Sequence, residues 1–402
     1  MSSTGRSDVI VVGAGPAGSR TAELLARAGL DVLVLEEHRE VGRPMQCAGL
    51  ISTRVADMLG GELAVENRVS GARIHAPGGR SVAFDAGRTR AHVVDRAAFD
   101  RELAARAARA GARVRLGARA VSVRAGAQGC EVEVRDAHAP PGRETLACRV
   151  VVGADGPGSL VRRAVGLRRP RVLLQGFEAR LATPRSIDTS TVHLFAGRET
   201  APGFFAWAVP VGEHELLAGV ACERGDVSAR GRLGRLLRDP RFTGEFRGLQ
   251  PLAYYAGAIP VGPLARPVAD GAVLVGDAAA QPKGTSGGGV YPALEAAGAA
   301  AAAIAGALER GAPTARALGA YPRAFNERVG DELKRAARLR RSYAAMSDAL
   351  VDELLAAVDD PEVLRLVVLE GDIDFPSKLV KSLLHKSPSL LKLAGPVLKG
   401  FL

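Results

Sequence analysis

The apolar positions of this chain fall into distinct regimes. Residues 8–12 (DVIVV) and 31–36 (DVLVLE) are short, almost unbroken apolar runs rich in Val and Leu, the pattern of parallel strands buried on both faces. A glycine turn at 13–18 and a helical composition at 19–28 lie between them, so the opening segment predicts a strand–helix–strand unit of about 30 residues. A helix over 97–110, a strand at 112–116, a hairpin over 119–135 and a buried strand at 149–153 follow. Residues 172–222 change character. Short alternating runs (VLLQGFEARL, TVHLFAG, FFAWAVPVG, ELLAGVAC) separated by turns predict an antiparallel sheet. A buried parallel strand returns at 272–276, an Ala-rich helix at 290–310, and helical spacing runs through 315–370. The last 28 residues read as short helical pieces broken at Pro376, Pro388 and Pro396. The first, parallel regime is therefore left near residue 167 and re-entered near 264.

Composition narrows the classes. A chain of 402 residues, 47% of them hydrophobic, is too long for one simple core and implies two or three domains or a composite fold. The net charge is +11, carried mainly by arginine. Only seven lysines occur, and five of them (Lys378, Lys381, Lys386, Lys392, Lys399) crowd the C-terminus. Aromatics at 4% leave few stacking platforms, so nucleic acid is not an expected partner. The four cysteines, Cys47, Cys130, Cys148 and Cys222, form no CxxC pair, which gives a metal or redox-dithiol site no support and fits a reducing compartment. The seven histidines are dispersed, and no Ser-His-Asp or paired-carboxylate arrangement presents itself. The run at 9–12 leads straight into glycines with only Arg6 before it, unlike a signal-peptide core, and no membrane-spanning run is evident.

The candidate chemistry lies in the turns. In Gly13-Ala14-Gly15-Pro16-Ala17-Gly18, Gly13 permits the turn, Gly15 lets a pyrophosphate approach the backbone, and Gly18 allows close helix–strand packing. The helix N-terminus then offers free N–H groups to phosphate. Glu36, at the end of the second strand, is placed to accept ribose hydroxyls. This motif alone does not separate NAD from FAD. A late strand closed by Gly276-Asp277 ahead of a helix does, because Asp277 can bond a ribityl chain. A third turn, Ala154-Asp155-Gly156, ends the strand at 149–153. Gly287-Gly288-Gly289 before the Ala-rich helix makes a second open helix N-terminus. Alternation puts Phe205 and Trp207 on one face of a strand, as the lining of an apolar tunnel or as ordinary sheet core.

These segments, in this order and with Asp95-Arg96 ahead of helix 97–110, resemble the flavoprotein superfamily that includes p-hydroxybenzoate hydroxylase. Three further stretches, VGRPMQCAGLIS at 41–52, PGFFAWAVPVG at 202–212 and PKGTSGGGVYP at 282–292, resemble the geranylgeranyl reductase family, and most closely its archaeal lipid-reducing branch. The family pattern is similar to Cys-Gly/Ala-Glu-Gly, Tyr-x-Trp-x-Phe-Pro and Gly-Gly-Gly-Ile. This chain lacks the Glu after Cys47-Ala48, and it has Phe205 for Tyr and Val209 for Phe. The resemblance implies an α/β protein, α+β overall. Its FAD-binding Rossmann-like domain would be discontinuous over 1–70, 92–166 and 264–325. An antiparallel-sheet substrate domain would occupy 71–91 and 167–263, and a C-terminal helical region 326–402. It also implies FAD contacts at Gly13, Gly15, Ala17, Gly18, Glu36, Cys47, Ala48, Gly49, Arg96, Ala120, Asp155, Asp277, Gly288, Gly289 and Val290. The prenyl chain would meet Phe205, Trp207, Pro210 and Tyr291.

The expected activity is saturation of C=C bonds in polyprenyl chains by hydride from the N5 atom of reduced FAD. An aromatic monooxygenase or halogenase of the same fold, and a flavoprotein electron carrier to quinone, are the alternatives. Halogenases of the superfamily resemble Trp-x-Trp-x-Ile-Pro, whose first Trp is absent here. Carriers usually bring an iron–sulfur domain, which four scattered cysteines do not build. The electron donor would be NADPH, ferredoxin or another small reductant. In the family the loop after the second strand runs toward the flavin ring. Cys47 would therefore act as proton donor or relay, shape the pocket as a small spacer, or serve a gating or redox role. Residues 375–402, with five lysines, no acid and interleaved Leu, Val and Phe, read either as a packed helical segment or as a basic amphipathic tail. The second reading places the protein in the cytoplasm, peripheral on an anionic inner membrane face.

Overall fold

A computed structural model describes residues 6–60, 63–136, 142–386 and 393. The first sheet has the strand order Val268–Ala269, Ala272–Leu274, Glu144–Gly153, Ser7–Val12, Val32–Leu35, Arg113–Arg115, parallel throughout except for the antiparallel edge strand Val268–Ala269. The first strand explains its own continuous apolar run. Val9 and Val11 join a core cluster on one face of the sheet, Ile10 and Val12 one on the other. The predicted hairpin is Ala118–Gly126 with Gly129–Asp136, and it extends the N-terminal half of Glu144–Gly153, pairing Cys130 with Cys148. Helix Pro16–Arg27 packs against the Ala-rich helix Val290–Glu309 on the first of these faces. Val290–Glu309 is long and apolar enough to cross a membrane, but 72% of its apolar window is buried inside this fold, as befits a core helix.

A seven-stranded sheet follows the order Gln250–Val261, Val172–Ala182, Glu215–Cys222, Ala206–Gly212, Thr191–Phe195, Gly71–His75, Ser81–Asp85. The expected antiparallel pairing holds except between Thr191–Phe195 and Gly71–His75, which run parallel because the chain reaches them through a long excursion. Phe204 and Phe205 precede the strand Ala206–Gly212 instead of lying in it, although the Phe205 carbonyl still accepts from Ala221 N at 3.2 Å. One register row of this sheet forms a wall. Tyr255 pairs with Glu178, Glu178 with Gly219, Gly219 with Trp207, Trp207 with Leu194 and Leu194 with Ile74. Residues in one row of a pleated sheet project to the same side, so this row presents one carboxyl, Glu178, among aromatic and aliphatic neighbours.

A small third sheet, Leu50–Ser52, Ala91–Val94 and Val65–Val69, joins the two large ones and has no counterpart in the sequence reading. Its strands are only three to five residues long and alternate weakly. The C-terminal region is helical through Asp331–Ala345, Asp348–Val358, Pro361–Glu370 and Pro376–Lys386. Leu384 of the last helix packs against Leu339, Leu354 and Val380. Of the predicted tail breaks, Pro388 and Pro396 lie outside the described residues, as do Lys392 and Lys399.

Candidate active site

The parallel sheet, the seven-stranded sheet and the C-terminal helices meet around a cavity of about 1410 Å³. Ligand sites usually span about 300–1,000 Å³, so this one has room for more than a single small ligand. One end is built from the glycine turns. Gly13 has φ +101°, and a side chain there would meet the Ala154 carbonyl at 2.4 Å. A side chain at Gly18 would meet the Gly13 carbonyl at 2.0 Å, whereas at Gly15 nothing lies within 4 Å. The two outer glycines therefore close strand, helix and neighbouring turn on each other, and the middle one leaves the helix N-terminus open. Gly15 is the N-cap residue of Pro16–Arg27 and supplies no side-chain cap, so the first-turn N–H groups are available to an anion.

Glu36 turns one carboxylate oxygen to Ala14 N at 2.9 Å and the other to His38 N at 3.0 Å and His38 Nδ1 at 2.7 Å. Asp155 accepts from Leu160 N and Val161 N through Oδ2, while its buried Oδ1 has no protein partner. Asp277 is the second residue of a short 3₁₀ turn, Gly276–Ala279, and lies beside Gly289, where a Cβ would come 3.4 Å from Oδ1. Burial pushes the Asp277 carboxyl up to about 6, with Arg96 pulling the other way. An open helix N-terminus, an orphaned buried carboxylate oxygen and a dehydrated carboxyl beside a second uncapped helix, Val290–Glu309, are features that fit FAD.

Arg96 opens helix Arg96–Arg109 behind the Asp95 cap and binds Asp100 at 3.1 Å. Burial opposes its charge, but Asp100 and the adjacent Cys47 sulfur hold it strongly cationic. Cys47 and Ala48 line the cavity near it.

The far end is apolar. Phe204 stacks on Phe205 with centroids 4.3 Å apart, and Phe205 meets Trp207 edge-on at 6.1 Å. Leu339, Leu354, Val367, Leu379, Val380 and Leu383 continue the lining through the C-terminal helices. Within this wall the indole of Trp207 crosses over Gly219, where any Cβ would lie 2.4 Å from the ring, and donates from Nε1 to Glu178 Oε2 at 2.8 Å. Glu178 Oε1 is buried without a hydrogen-bond partner. Burial drives this carboxyl up to about 7, against the Trp207 N–H and Arg180. Lys283, in the loop leading to Gly287, forms a buried pair with Asp374 at 2.7 Å and also donates to Ile373 O. The C-terminal region is thereby clamped to the glycine loop.

The structure brings Gly15, Ala17, Cys47, Ala48, Arg96, Asp277, Gly288, Gly289, Val290, Phe205, Trp207 and Tyr291 onto the cavity. Tyr291 packs edge-on against Phe375, and burial raises its hydroxyl to about 12. Gly13, Gly18, Glu36 and Asp155 frame the dinucleotide end from behind the lining. Gly49 has φ +72° and sits against the Val94 carbonyl, a backbone role. Ala120 stands on Ala118–Gly126 outside the cavity lining, two residues beyond the Ala118 N–H that donates to Glu36 O. Pro210, expected to meet substrate, is instead buried away from the cavity, because strand alternation turns it opposite to Trp207 and Val209. Its carbonyl accepts from Asn67 Nδ2 at 2.9 Å. Glu178, Tyr255, Lys283 and Asp374 were missed. Glu178 shares its strand face with Gly176 and Arg180, a grouping that reads as a solvent face, and only the sheet register shows that it faces the cavity.

Known proteins agree with this geometry. The FAD binding domain family matches residues 6–207. Digeranylgeranylglycerophospholipid reductase 2 of Methanothermobacter thermautotrophicus is 33% identical over 384 residues, 92% of this chain and 97% of its own length. The chain belongs to the geranylgeranyl reductase family of FAD-dependent oxidoreductases. Among solved structures, a geranylgeranyl bacteriochlorophyll reductase-like protein from Thermoplasma acidophilum superposes with a TM-score of 0.84 at 24% identity, over 98% of this chain and 99% of that one. The flavin-dependent halogenase CmlS reaches 0.69 at 17% identity, over 97% of this chain and 72% of that one. Both likenesses speak to the fold alone. This reductase-family chain thus has the FAD-binding domain its glycine turns imply.

Proposed function

We propose that this protein is an FAD-dependent reductase that saturates C=C bonds of geranylgeranyl or related polyprenyl chains. The observation that carries the reading is the cavity, which joins an end built from glycine turns to an apolar end. Relatives one-third identical over nearly the whole chain, reductases by name, support the same substrate class. Reduced FAD, when bound, supplies a hydride to one alkene carbon. The protein's own groups do the rest. Phe204, Phe205, Trp207 and the C-terminal leucines hold an apolar chain and exclude water, and the Gly287–Gly289 helix end favours negative charge on the ring held against it.

Cys47 lies on the cavity beside Arg96, where it shapes the pocket or passes a proton. The Cys47→Ser and Cys47→Ala pair separates these roles: full turnover by Ala with intact flavin rules out proton transfer. Electrons arrive from a small reductant such as NADPH or ferredoxin. The lipid is a membrane component, quinone or pigment, reached from an anionic surface. Lys378 and Lys381, on the helix whose leucines line the cavity, are the described lysines suited to that surface. The deciding experiment is anaerobic incubation of dithionite-reduced protein with a geranylgeranyl lipid. Product masses rising in steps of two units are expected; oxygen-dependent hydroxylation of an aromatic ring, or no change, refutes the reading.

A further inference from the structure

Hydride addition to an alkene leaves the second carbon needing a proton, and a lipid tunnel excludes the water that would give one. We propose that Glu178 is the proton donor to that carbon and Trp207 the residue that positions it. This rests on the reductase reading. The argument is geometric. In the register row that walls the cavity, Glu178 is the only carboxyl, flanked by Gly219 on one strand and Tyr255 on the other. Gly219 carries no side chain, so the Trp207 indole lies across it and fixes Oε2 through a 2.8 Å bond. An N–H donor can only hold an acceptor oxygen, so the acidic hydrogen resides on Oε1. That oxygen is buried and unclaimed by any protein acceptor.

The charges nearby leave the carboxyl unpaired. Arg180, on the same strand, is taken up by Glu215 and Glu66. From the facing strands come only the neutral Tyr255 and Trp207 (Arg43 of the loop before Cys47 bears on Tyr255). Burial then keeps the acid protonated to about pH 7, where a general acid is most useful. The balance closes. The hydride brings two electrons and forms one C–H bond. The alkene π pair forms the other with the Glu178 proton, whose O–H bond breaks and leaves a carboxylate that solvent reprotonates between turnovers.

Two measurements test this on the FAD-loaded full chain. Trp207 is the single tryptophan, so its indole N–H gives one ¹⁵N-resolved NMR signal that reports directly on the carboxyl it touches. That signal should shift with pH around a midpoint near 7 and should not titrate in Glu178→Gln, which keeps an oxygen for the indole. A signal that is flat between pH 5 and 9 in the native protein overturns the assignment. In single-turnover oxidation by a geranylgeranyl lipid, Glu178→Gln should be slowed about 100-fold or more with flavin still bound. The native rate should fall as pH rises through 7. Glu178→Gln at the native rate and with the native pH profile sinks the donor role alone. Native protein that binds FAD and saturates no prenyl lipid sinks the reductase reading, and the donor role with it.

Discussion

Removing the Asp374 carboxylate should be the most damaging single truncation near the site. Asp374 is completely buried, and Lys283 nearly so, at 5% exposure. Their contact at 2.7 Å is supplemented by Arg54 at 3.3 Å on the Asp374 side and by the Ile373 carbonyl at 2.9 Å on the Lys283 side. Asp374→Ala leaves a buried ammonium with one neutral acceptor. Breaking a buried pair from one side costs about 3–5 kcal/mol. Lys283→Met should cost less, about 1–3 kcal/mol, because Arg54 still attends the remaining carboxylate. Lys283→Met with Asp374→Leu should recover most of the loss, since no unpaired charge is left inside. The Lys283 backbone also bonds Gly287 N and Gly288 O, so the single variant should loosen the glycine loop and weaken FAD binding. The assay is urea unfolding followed by far-UV circular dichroism at one saturating FAD concentration, with FAD affinity measured separately. A loss under about 1 kcal/mol for Asp374→Ala, or a larger loss for Lys283→Met, refutes the reasoning.

Three further outcomes are expected. Glu36→Ala and Asp277→Ala should each lower FAD retention on a desalting column, and protein that stays colourless after incubation with FAD contradicts the cofactor site. Trp207→Ala should cut lipid turnover and leave FAD bound; loss of FAD instead marks the indole as purely structural. Glu178 should make stability depend on pH: its carboxyl rises from 4.5 unfolded to about 7 folded, so its contribution is full below 4.5 and is lost as pH climbs through 7. The loss is on the order of 3 kcal/mol, and thermal melts of Glu178→Gln should gain on the native protein between pH 5 and 8.

The parts legible in the sequence are those where one strand or turn carries the whole message. Val9 to Val12 are apolar on both faces because both faces are covered, and Gly13 and Gly18 are glycines because a side chain would strike a carbonyl. Asp277 was readable because a strand, a turn and a helix follow one another in the chain. Glu178 was not, since its role needs three strands in register and the absence of a side chain at Gly219. The Lys283–Asp374 pair joins positions 91 residues apart, and neither neighbourhood hints at the other. Pro210 went astray for a simpler reason: its motif was read as a unit, although alternation divides that motif between two faces. The described part of the tail, 376–386, was similarly divided: Leu379, Leu383 and Leu384 line the cavity, and Lys378, Lys381 and Lys386 are exposed outside it.

The cavity wall begins at Gly15 and ends at Leu384. No shorter piece of the chain contains it, so whatever fills it binds the finished fold and not the unfolded chain. A ligand present at one hundred times its dissociation constant then adds about 2.7 kcal/mol to the stability of the whole molecule. A flavin and a lipid held there would act together as a non-covalent staple between segments as far apart as Gly15 and Leu384, so supply of cofactor during synthesis would become part of how much folded protein a cell retains.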